Sequence, residues 1–247
     1  MLLLTLVAAG NILYHHASGF QDIEPDSPAI DPDSTISWSA AAKIVTNIAA
    51  LQLVQKGIVG LDEPIRNHVP HIDALPLISR LPEDSDSEFI VRNPSKPITL
   101  RHLLTYIAGF NTPQNDLVQE YLSKNDLGVP EDAPNLVKMF SIPLLFEPGE
   151  GFLYGSCIYW MQHLVGTIGG NFQEYVKEHI LNPLGMSTAT YVPDKVPEVW
   201  ARKLRMVEKV DGKFVPQDEH TRGFTCSVLD IAKLLGEFIS PNPKLLQ

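Results

Sequence analysis

The sequence predicts a mixed fold in which a β-hairpin precedes a mostly helical chain. Residues 1–10 form an apolar run typical of a buried strand, Gly10 and Asn11 are a turn pair, and the residues up to His16 continue as a second strand. Apolar residues at helical spacing then predict a long helix from about residue 39 to residue 56. Because an isolated hairpin is only marginally stable in water, the sheet should need further strands.

Most of the remaining chain has helical periodicity interrupted by polar loops. Helices are predicted at 65–68, from Thr99 onward, and at 117–121, 135–140, 156–168, 172–180 and 228–239. Irregular segments are predicted at 21–34 and 76–96, with residues 84–88 exposed. A two-stranded excursion is expected around 202–206 and 213–215.

The composition excludes several classes of function. The 247 residues carry a net charge of −10, whereas binding to nucleic acid or to an anionic membrane would require a basic face. The chain has no glycine-rich phosphate-binding loop, so we expect no nucleotide cofactor. No apolar run approaches the ~20 residues of a membrane span. We therefore expect neither nucleic acid nor a membrane as a partner.

Two further features concern the compartment and metal binding. The N-terminal apolar run has no basic segment before it, which favours a strand in a cytoplasmic protein over a signal peptide; secretion is the alternative. Cys157 and Cys226 are far apart in sequence and are expected to be buried free thiols. His15 and His16 point to opposite faces of the predicted strand, so no metal site is predicted there.

Lys43 stands in an unusual place for a lysine. It lies in the first turn of the predicted helix, where the positive end of the helix dipole favours acidic residues. The dipole and burial both favour a neutral amine, which can act as a general base; a solvated side chain is the alternative. A serine three residues earlier would share the helix face of Lys43, as in the S-x-x-K motif. That position is Ala40.

The second candidate segment is Tyr154-Gly155-Ser156, which follows Pro148-Gly149 and precedes a predicted helix. A tyrosine with a small polar residue two positions later suits a proton relay beside a lysine. The alternative for Tyr154 is an aromatic side chain that only packs. Taken alone, the segment leaves both interpretations open.

In combination these segments resemble the class C β-lactamase and penicillin-binding-protein-like serine hydrolases. The segment from Ala40 through Lys43 to Gly57, followed by Leu61-Asp-Glu-Pro64, is similar to the nucleophile helix of that family. Further similar segments are Ile98-Thr-Leu-Arg-His-Leu-Leu-Thr105 with Gly109, Phe146-x-Pro-Gly149-x-x-x-x-Tyr154-x-Ser156, Asn182-Pro-Leu-Gly-Met186 and Phe224-x-x-Ser227-x-x-Asp230. The resemblance covers nearly the whole chain and is greatest to the fungal esterases and acyltransferases of polyketide and other secondary-metabolite pathways.

The resemblance implies an α/β fold of the β-lactamase/transpeptidase type, with an α+β sandwich domain plus an all-helical domain. Residues 1–60 and 221–247 would belong to the α/β domain, and residues 61–220 to the mostly helical domain.

The resemblance also implies roles for individual residues. Lys43 and Tyr154 would manage protons, while Ala40 and Ser156 would contact the substrate. The ligand would be a small ester, thioester or amide, and no cofactor or metal is implied.

The chain departs from the family at the nucleophile position. No lysine has a serine three residues upstream, and there is no G-x-S-x-G elbow. Ser39 is the nearest substitute, four residues before Lys43 and on roughly the same helix face. A serine there, or Ser37, would also suit the helix N-cap. A smaller departure is Tyr106-Ile-Ala108, which replaces polar residues that the family has before its glycine.

The family's third motif, K-T-G or H-x-G on a sheet strand, has no counterpart in the chain. We therefore expect the C-terminal sheet strands that carry it, and part of the oxyanion hole, to be missing. One hypothesis is an impaired or inactive relative, truncated or decayed, that keeps the pocket. The other is an active esterase or transesterase that uses Ser39 with Lys43 and Tyr154.

Overall fold

The computed structural model describes residues 2–24, 26–80, 89–217 and 223–246. The chain divides into two compact units, the first formed by Met1–Val45 and Val176–Gln247 and the second by Thr46–Tyr175. The boundaries of these units fall near residues 45 and 175, whereas the resemblance places the domain division at residues 60 and 220. That domain division stays a prediction.

Within the described residues the strands pair as four two-stranded antiparallel sheets. They are β1 (Leu2–Ala8), β2 (Asn11–Ser18), β3 (Thr35–Ser37), β4 (Leu77–Ser79), β5 (Ile90–Arg92), β6 (Val207–Val210), β7 (Lys213–Pro216) and β8 (Thr225–Ser227). Strand β1 pairs with β2, β3 with β8, β4 with β5, and β6 with β7.

The helical elements fill most of the rest of the described chain. The α-helices are α1 (Lys43–Gln55), α2 (Leu100–Leu104), α3 (Asp116–Lys124), α4 (Asn135–Phe140), α5 (Cys157–Gly169), α6 (Phe172–Val176), α7 (Asn182–Leu184), α8 (Pro197–Trp200) and α9 (Val228–Gly236). A π-helical stretch, Lys177–Leu181, joins α6 to α7. Short 3-10 turns occur at Ser39–Ala42, Ile65–Asn67, Pro70–Ala74, Pro193–Lys195 and Glu237–Ile239.

The predicted N-terminal hairpin is confirmed, although its turn lies one residue earlier than predicted. Ala9 and Gly10 have φ angles of 47° and 80°, the left-handed pair of a tight two-residue turn, and Asn11 already pairs with Ala8. Side chains of β1 alternate between half-buried and exposed. Helix α9 packs against both strands, which supplies packing that an isolated hairpin would lack.

The sequence does not predict the short strands β3, β4, β5 and β8. Each has only three residues, too few to display an alternating pattern. The predicted irregular segment at 76–96 therefore contains paired backbone at both ends. Residues 84–88, predicted to be exposed, lie outside the described residues.

The predicted excursion near residue 210 is confirmed as a hairpin, but its first strand is misplaced. It lies at Val207–Val210 rather than at 202–206. Asp211 and Gly212 have φ angles of 49° and 80° and form the turn. This turn pairs Val210 with Lys213 and so fixes the register of β6.

Helix α5 contributes several fully buried side chains to the second unit. Trp160, Met161 and Leu164 are fully buried along it, and α2 and α4 pack against it. Phe110 stacks on Trp160 with ring centroids 5.9 Å apart. The helices predicted at 117–121, 135–140 and 156–168 are confirmed by α3, α4 and α5.

A buried carboxylate organises the end of the first unit. Asp230, 2% exposed, accepts hydrogen bonds at Oδ2 from the backbone N–H and the Oγ1 hydroxyl of Thr188, at 2.8 and 2.6 Å. Lys233 Nζ donates to Asp230 Oδ1 at 2.7 Å and to the carbonyl of Gly185 at 2.6 Å. The motif residues around Gly185 and Asp230 therefore fasten α7 to α9.

Both cysteines are buried free thiols, as predicted. Burial raises the pKa of the Cys157 thiol to about 12 and holds the pKa of Cys226 well above its usual range. None of the helices that the structure describes combines the length and the apolar character needed to cross a membrane.

Candidate active site

The entrance to α1 carries three of the predicted site residues. Helix α1 begins at Lys43, and the 3-10 turn Ser39–Ala42 leads into it. Trp38 anchors this turn, because its backbone N–H donates to the carbonyl of Phe224 at 3.0 Å. Its indole Nε1–H donates to the carbonyl of Cys226, also at 3.0 Å. The entrance is thus fixed to the segment of β8.

The hypothesis that Ser39 or Ser37 caps the helix is wrong. Trp38 occupies the N-cap position of the turn, and no side chain of the described residues caps it. The Ser37 hydroxyl lies 3.5 Å from Thr225 Oγ1, because Ser37 belongs to β3 and faces its partner strand. Ser39 is exposed and lies inside the turn with a φ of 40°, a strained conformation for a residue with a side chain.

Ala40 and Lys43 lie one turn apart, as the motif spacing predicts. The Lys43 backbone N–H donates to the carbonyl of Ala40. In a 3-10 turn, side chains three residues apart eclipse one another, so a side chain at position 40 is aligned with that of Lys43. Ser39 lies one residue further back, and its left-handed φ of 40° departs from this regular repeat. The 3-10 geometry therefore aligns the alanine, rather than the serine, with the half-buried Lys43.

The second group of predicted residues lies in the loop before α5, within the second unit. Tyr154 is 57% exposed. Its ring lies nearly parallel to that of Tyr106, with centroids 5.3 Å apart and an interplanar angle of 17°. The preceding residue is held as well, because the Leu153 N–H donates to the carbonyl of Tyr106 at 3.0 Å.

Ser156 is buried and holds the loop in place. It is 1% exposed, and both its backbone N–H and its Oγ hydroxyl donate to the carbonyl of Asn111 at 2.9 Å. Gly155 fits the same contact, because an added Cβ would overlap the carbonyl oxygen of Phe110 and lie 2.6 Å from that of Asn111. The Ser156 hydroxyl hydrogen is therefore committed to the backbone of a neighbouring loop.

The remaining motif segments of the second unit fix helix α2. Asp62 and Arg101 form a two-point ion pair, with Oδ1–Nε 2.6 Å and Oδ2–Nη2 2.8 Å apart, and the hydrogen bond from Arg101 lowers the pKa of Asp62. Thr99 is the N-cap of α2, as predicted, and accepts from the His102 N–H. His102 Nδ1 accepts from the Thr99 N–H at 3.2 Å, which completes a capping box.

Sequence reasoning missed the parts played by Tyr106 and Asn111. Tyr106 offers a signal, because a bulky aromatic residue replaces polar residues of the family there. Asn111 offers none, since it acts through its backbone carbonyl, which every residue type has. Within the described ranges, His, Cys, Asp and Glu form no group of three or more that could hold a metal ion.

The site residues therefore fall into two groups. Ser39, Ala40 and Lys43 share the entrance of α1, and Tyr154 and Ser156 share the loop before α5. These groups contain an amine and an exposed phenol, but a methyl group occupies the position of the expected nucleophilic hydroxyl.

The chain is similar to known proteins in both sequence and fold. The acyltransferase calJ of Penicillium decumbens is 30% identical over 99% of this chain and 62% of its own length. The lovastatin esterase of Penicillium rubens is 28% identical over 79% of this chain and 49% of its own length. The chain thus spans about half to two-thirds of the length of these curated relatives.

A solved structure gives the same result for the fold. The LovD9 mutant of simvastatin synthase from Aspergillus terreus matches with a TM-score of 0.85 and 29% identity, over 99% of this chain and 64% of that one. The predicted β-lactamase/transpeptidase-like fold is thereby confirmed. A family model described as beta-lactamase matches residues 2–244. The chain belongs to the beta-lactamase family, among relatives that are acyltransferases and esterases.

Proposed function

We propose that this chain is an acyltransferase- or esterase-type member of the family that is impaired at the acyl-transfer step, and therefore a binding relative or pseudoenzyme as it stands. The observation that carries the proposal is Ala40, whose side-chain position is aligned with Lys43 across one 3-10 turn. The expected nucleophile is thus replaced by a methyl group. In serine hydrolases, losing the nucleophile can lower kcat by about a millionfold.

The chemistry that a hydroxyl at position 40 would perform is acyl transfer in two steps. Its oxygen would attack the carbonyl carbon of a small ester, thioester or amide, while Lys43 Nζ accepts the proton. The leaving alcohol, thiol or amine would depart with a proton delivered through Tyr154. Water or an acceptor alcohol would then take the acyl group and regenerate the hydroxyl. The names of the relatives, an acyltransferase and a lovastatin esterase, support an ester as the ligand class.

The second candidate function is an active esterase or transesterase that uses Ser39. Its support is the exposed position of Ser39 and its left-handed backbone, since strained residues cluster at functional sites. The place of Ser39, one residue before the position aligned with Lys43, weighs against it, because a displacement of ~1 Å can lower a rate about a hundredfold.

Covalent labelling with a fluorophosphonate distinguishes the two candidates. We expect no adduct on the natural chain and an adduct on residue 40 in A40S, with labelling at least ~10³-fold faster. The matched control is A41S, which places a hydroxyl on the adjacent residue of the same turn and should stay unlabelled. Intact mass and peptide mapping give the readout.

Two results would contradict the proposal. An adduct on the natural chain that disappears in S39A would establish Ser39 as the nucleophile. An A40S protein with an unchanged circular dichroism spectrum and no adduct would show that a hydroxyl at position 40 is not activated for acyl transfer.

A further inference from the structure

Tyr106 stands at the C-terminal end of α2 in a place that normally belongs to glycine. The helix ends with Thr105 as its C-cap, and Tyr106 follows with a φ of 59°. The Tyr106 N–H donates to the carbonyl of Leu103 at 3.2 Å, and the Ile107 N–H donates to that of His102 at 2.9 Å. This pair of hydrogen bonds defines a Schellman motif, in which the left-handed residue is usually glycine because a Cβ is strained there.

A bulky aromatic residue at this φ is an outlier whose strain must be offset by its surroundings. The hydroxyl of Tyr106 does not offset it, because it is buried and has no hydrogen-bond partner among the described residues. Burial also raises the pKa of Tyr106 well above its usual range, so the group stays a neutral phenol. The contribution of this side chain must therefore come from its ring.

The ring and the carbonyl of Tyr106 contact two consecutive residues of the loop before α5. The carbonyl accepts from the Leu153 N–H at 3.0 Å, and the ring stacks on Tyr154. Leu153 and Tyr154 lie in a stretch without regular secondary structure, and Tyr154 is 57% exposed. The stack on Tyr106 restricts the rotamers that this exposed ring can adopt.

We infer that Tyr106 is a positioning residue that fixes the ring of Tyr154 for proton transfer. It holds the loop at two points, through its carbonyl at Leu153 and through its ring at Tyr154. The inference deepens the proposed function, since it rests on Tyr154 as the group that handles the proton. An aromatic side chain at a glycine position is retained because its ring orders the exposed phenol.

The first test measures the ring of Tyr154 directly by NMR with ring-labelled tyrosine. The chain has seven tyrosines, and comparison with Y154F assigns the resonances of interest. Stacking on Tyr106 shifts the Tyr154 ring protons upfield, so Y106L should move them downfield and narrow them as the ring becomes mobile. Y106F keeps the ring and should leave them in place.

A matched control separates positioning from general loosening of the segment. F110L removes a buried ring four residues away that stacks on Trp160 rather than on Tyr154. It should leave the Tyr154 resonances unchanged. If Y106L does not fold, Y106G takes its place, because glycine suits the left-handed backbone. Unmoved Tyr154 resonances in the folded Y106L or Y106G variant overturn the inference, as does an equal shift in F110L.

The second test is kinetic and uses A40S as the background. Y106L should slow fluorophosphonate labelling about two- to tenfold at saturating probe, the worth of one aromatic stack, with the half-saturating probe concentration unchanged. Y106F should restore the rate. A change only in half-saturation would contradict a positioning role. If A40S itself is not labelled, the proposed function fails, while the NMR result still decides whether Tyr106 orders Tyr154.

Discussion

The entrance of α1 and the loop of Tyr154 both carry predicted catalytic residues, but they differ in which of the predicted groups are present. At the entrance, the backbone geometry and Lys43 are retained, while position 40 has only a methyl group. In the loop, the phenol of Tyr154 is present, and Gly155 and Ser156 lock its backbone to the neighbouring segment. In both regions, hydrogen bonds to backbone carbonyls fix the local conformation, and at the entrance they do so without a hydroxyl at position 40.

The largest expected effect tests whether Lys43 still matters at the entrance. In the A40S background, K43A should slow fluorophosphonate labelling by about 10²–10⁴-fold, the usual contribution of a general base. K56A is the control, because Lys56 lies at the other end of the helix and donates to the Tyr175 hydroxyl. Equal labelling rates for A40S with and without K43A would show that Lys43 does not act as a general base.

An intermediate effect tests how tightly the loop is locked. G155A should lower the free energy of unfolding by about 1–3 kcal/mol, because the new Cβ overlaps backbone carbonyls that cannot move aside easily. S156A should cost about 1 kcal/mol through the lost hydrogen bond to Asn111. Urea denaturation followed by circular dichroism measures both.

The control for the loop variants is G166A, in the interior of α5. Its Cβ would lie 3.3 Å from the Phe172 nitrogen, and alanine is the better helix former by about 1 kcal/mol. We expect a smaller loss of stability in G166A than in G155A. The reverse order would mean that the loop is not held by close contact with residues 110 and 111.

The smallest effect is a pH dependence of stability that arises from His102 in helix α2. Burial lowers the pKa of His102 below its ordinary value of 6.5, and the neutral Nδ1 is the acceptor of the capping box. The stabilisation is therefore fully present above pH 6.5 and is lost as pH falls through the folded-state pKa. Its size should be below about 1 kcal/mol, as for a lost helix cap.

Thermal unfolding from pH 8 to pH 5 measures this dependence. H102Q is the matched variant, because glutamine can accept the same hydrogen bond but does not titrate. The melting temperature of the natural chain should fall more steeply with pH than that of H102Q. Parallel curves would contradict a role for His102 protonation.

The elements that the sequence predicts well are those whose signals are local. Thr99 predicts the start of a helix because its hydroxyl caps the next turn. The apolar stripe of α5 is long enough to show a helical period. The strands β3 and β8 are not predictable in this way. Their three-residue length hides any alternation, and their pairing joins residues about 190 positions apart.

The candidate site follows the same division. The sequence alone predicts that Ala40 and Lys43 lie one helical turn apart, and it also shows that position 40 has no hydroxyl. Whether Ser39 shares the face of Lys43 depends on the local backbone, which forms a 3-10 turn rather than an α-helical turn. No residue pattern in the sequence specifies that choice. The stack of Tyr106 on Tyr154 joins two segments 48 residues apart, so only the fold reveals it.

The two buried thiols give each compact unit a built-in reporter of local opening. Cys226 lies in the first unit and Cys157 in the second. Alkylation requires the thiolate, and burial suppresses that form of both residues near neutral pH. Iodoacetamide would therefore modify each sulfur only when local unfolding exposes it. The two alkylation rates would measure the local unfolding of each unit separately, without any added label.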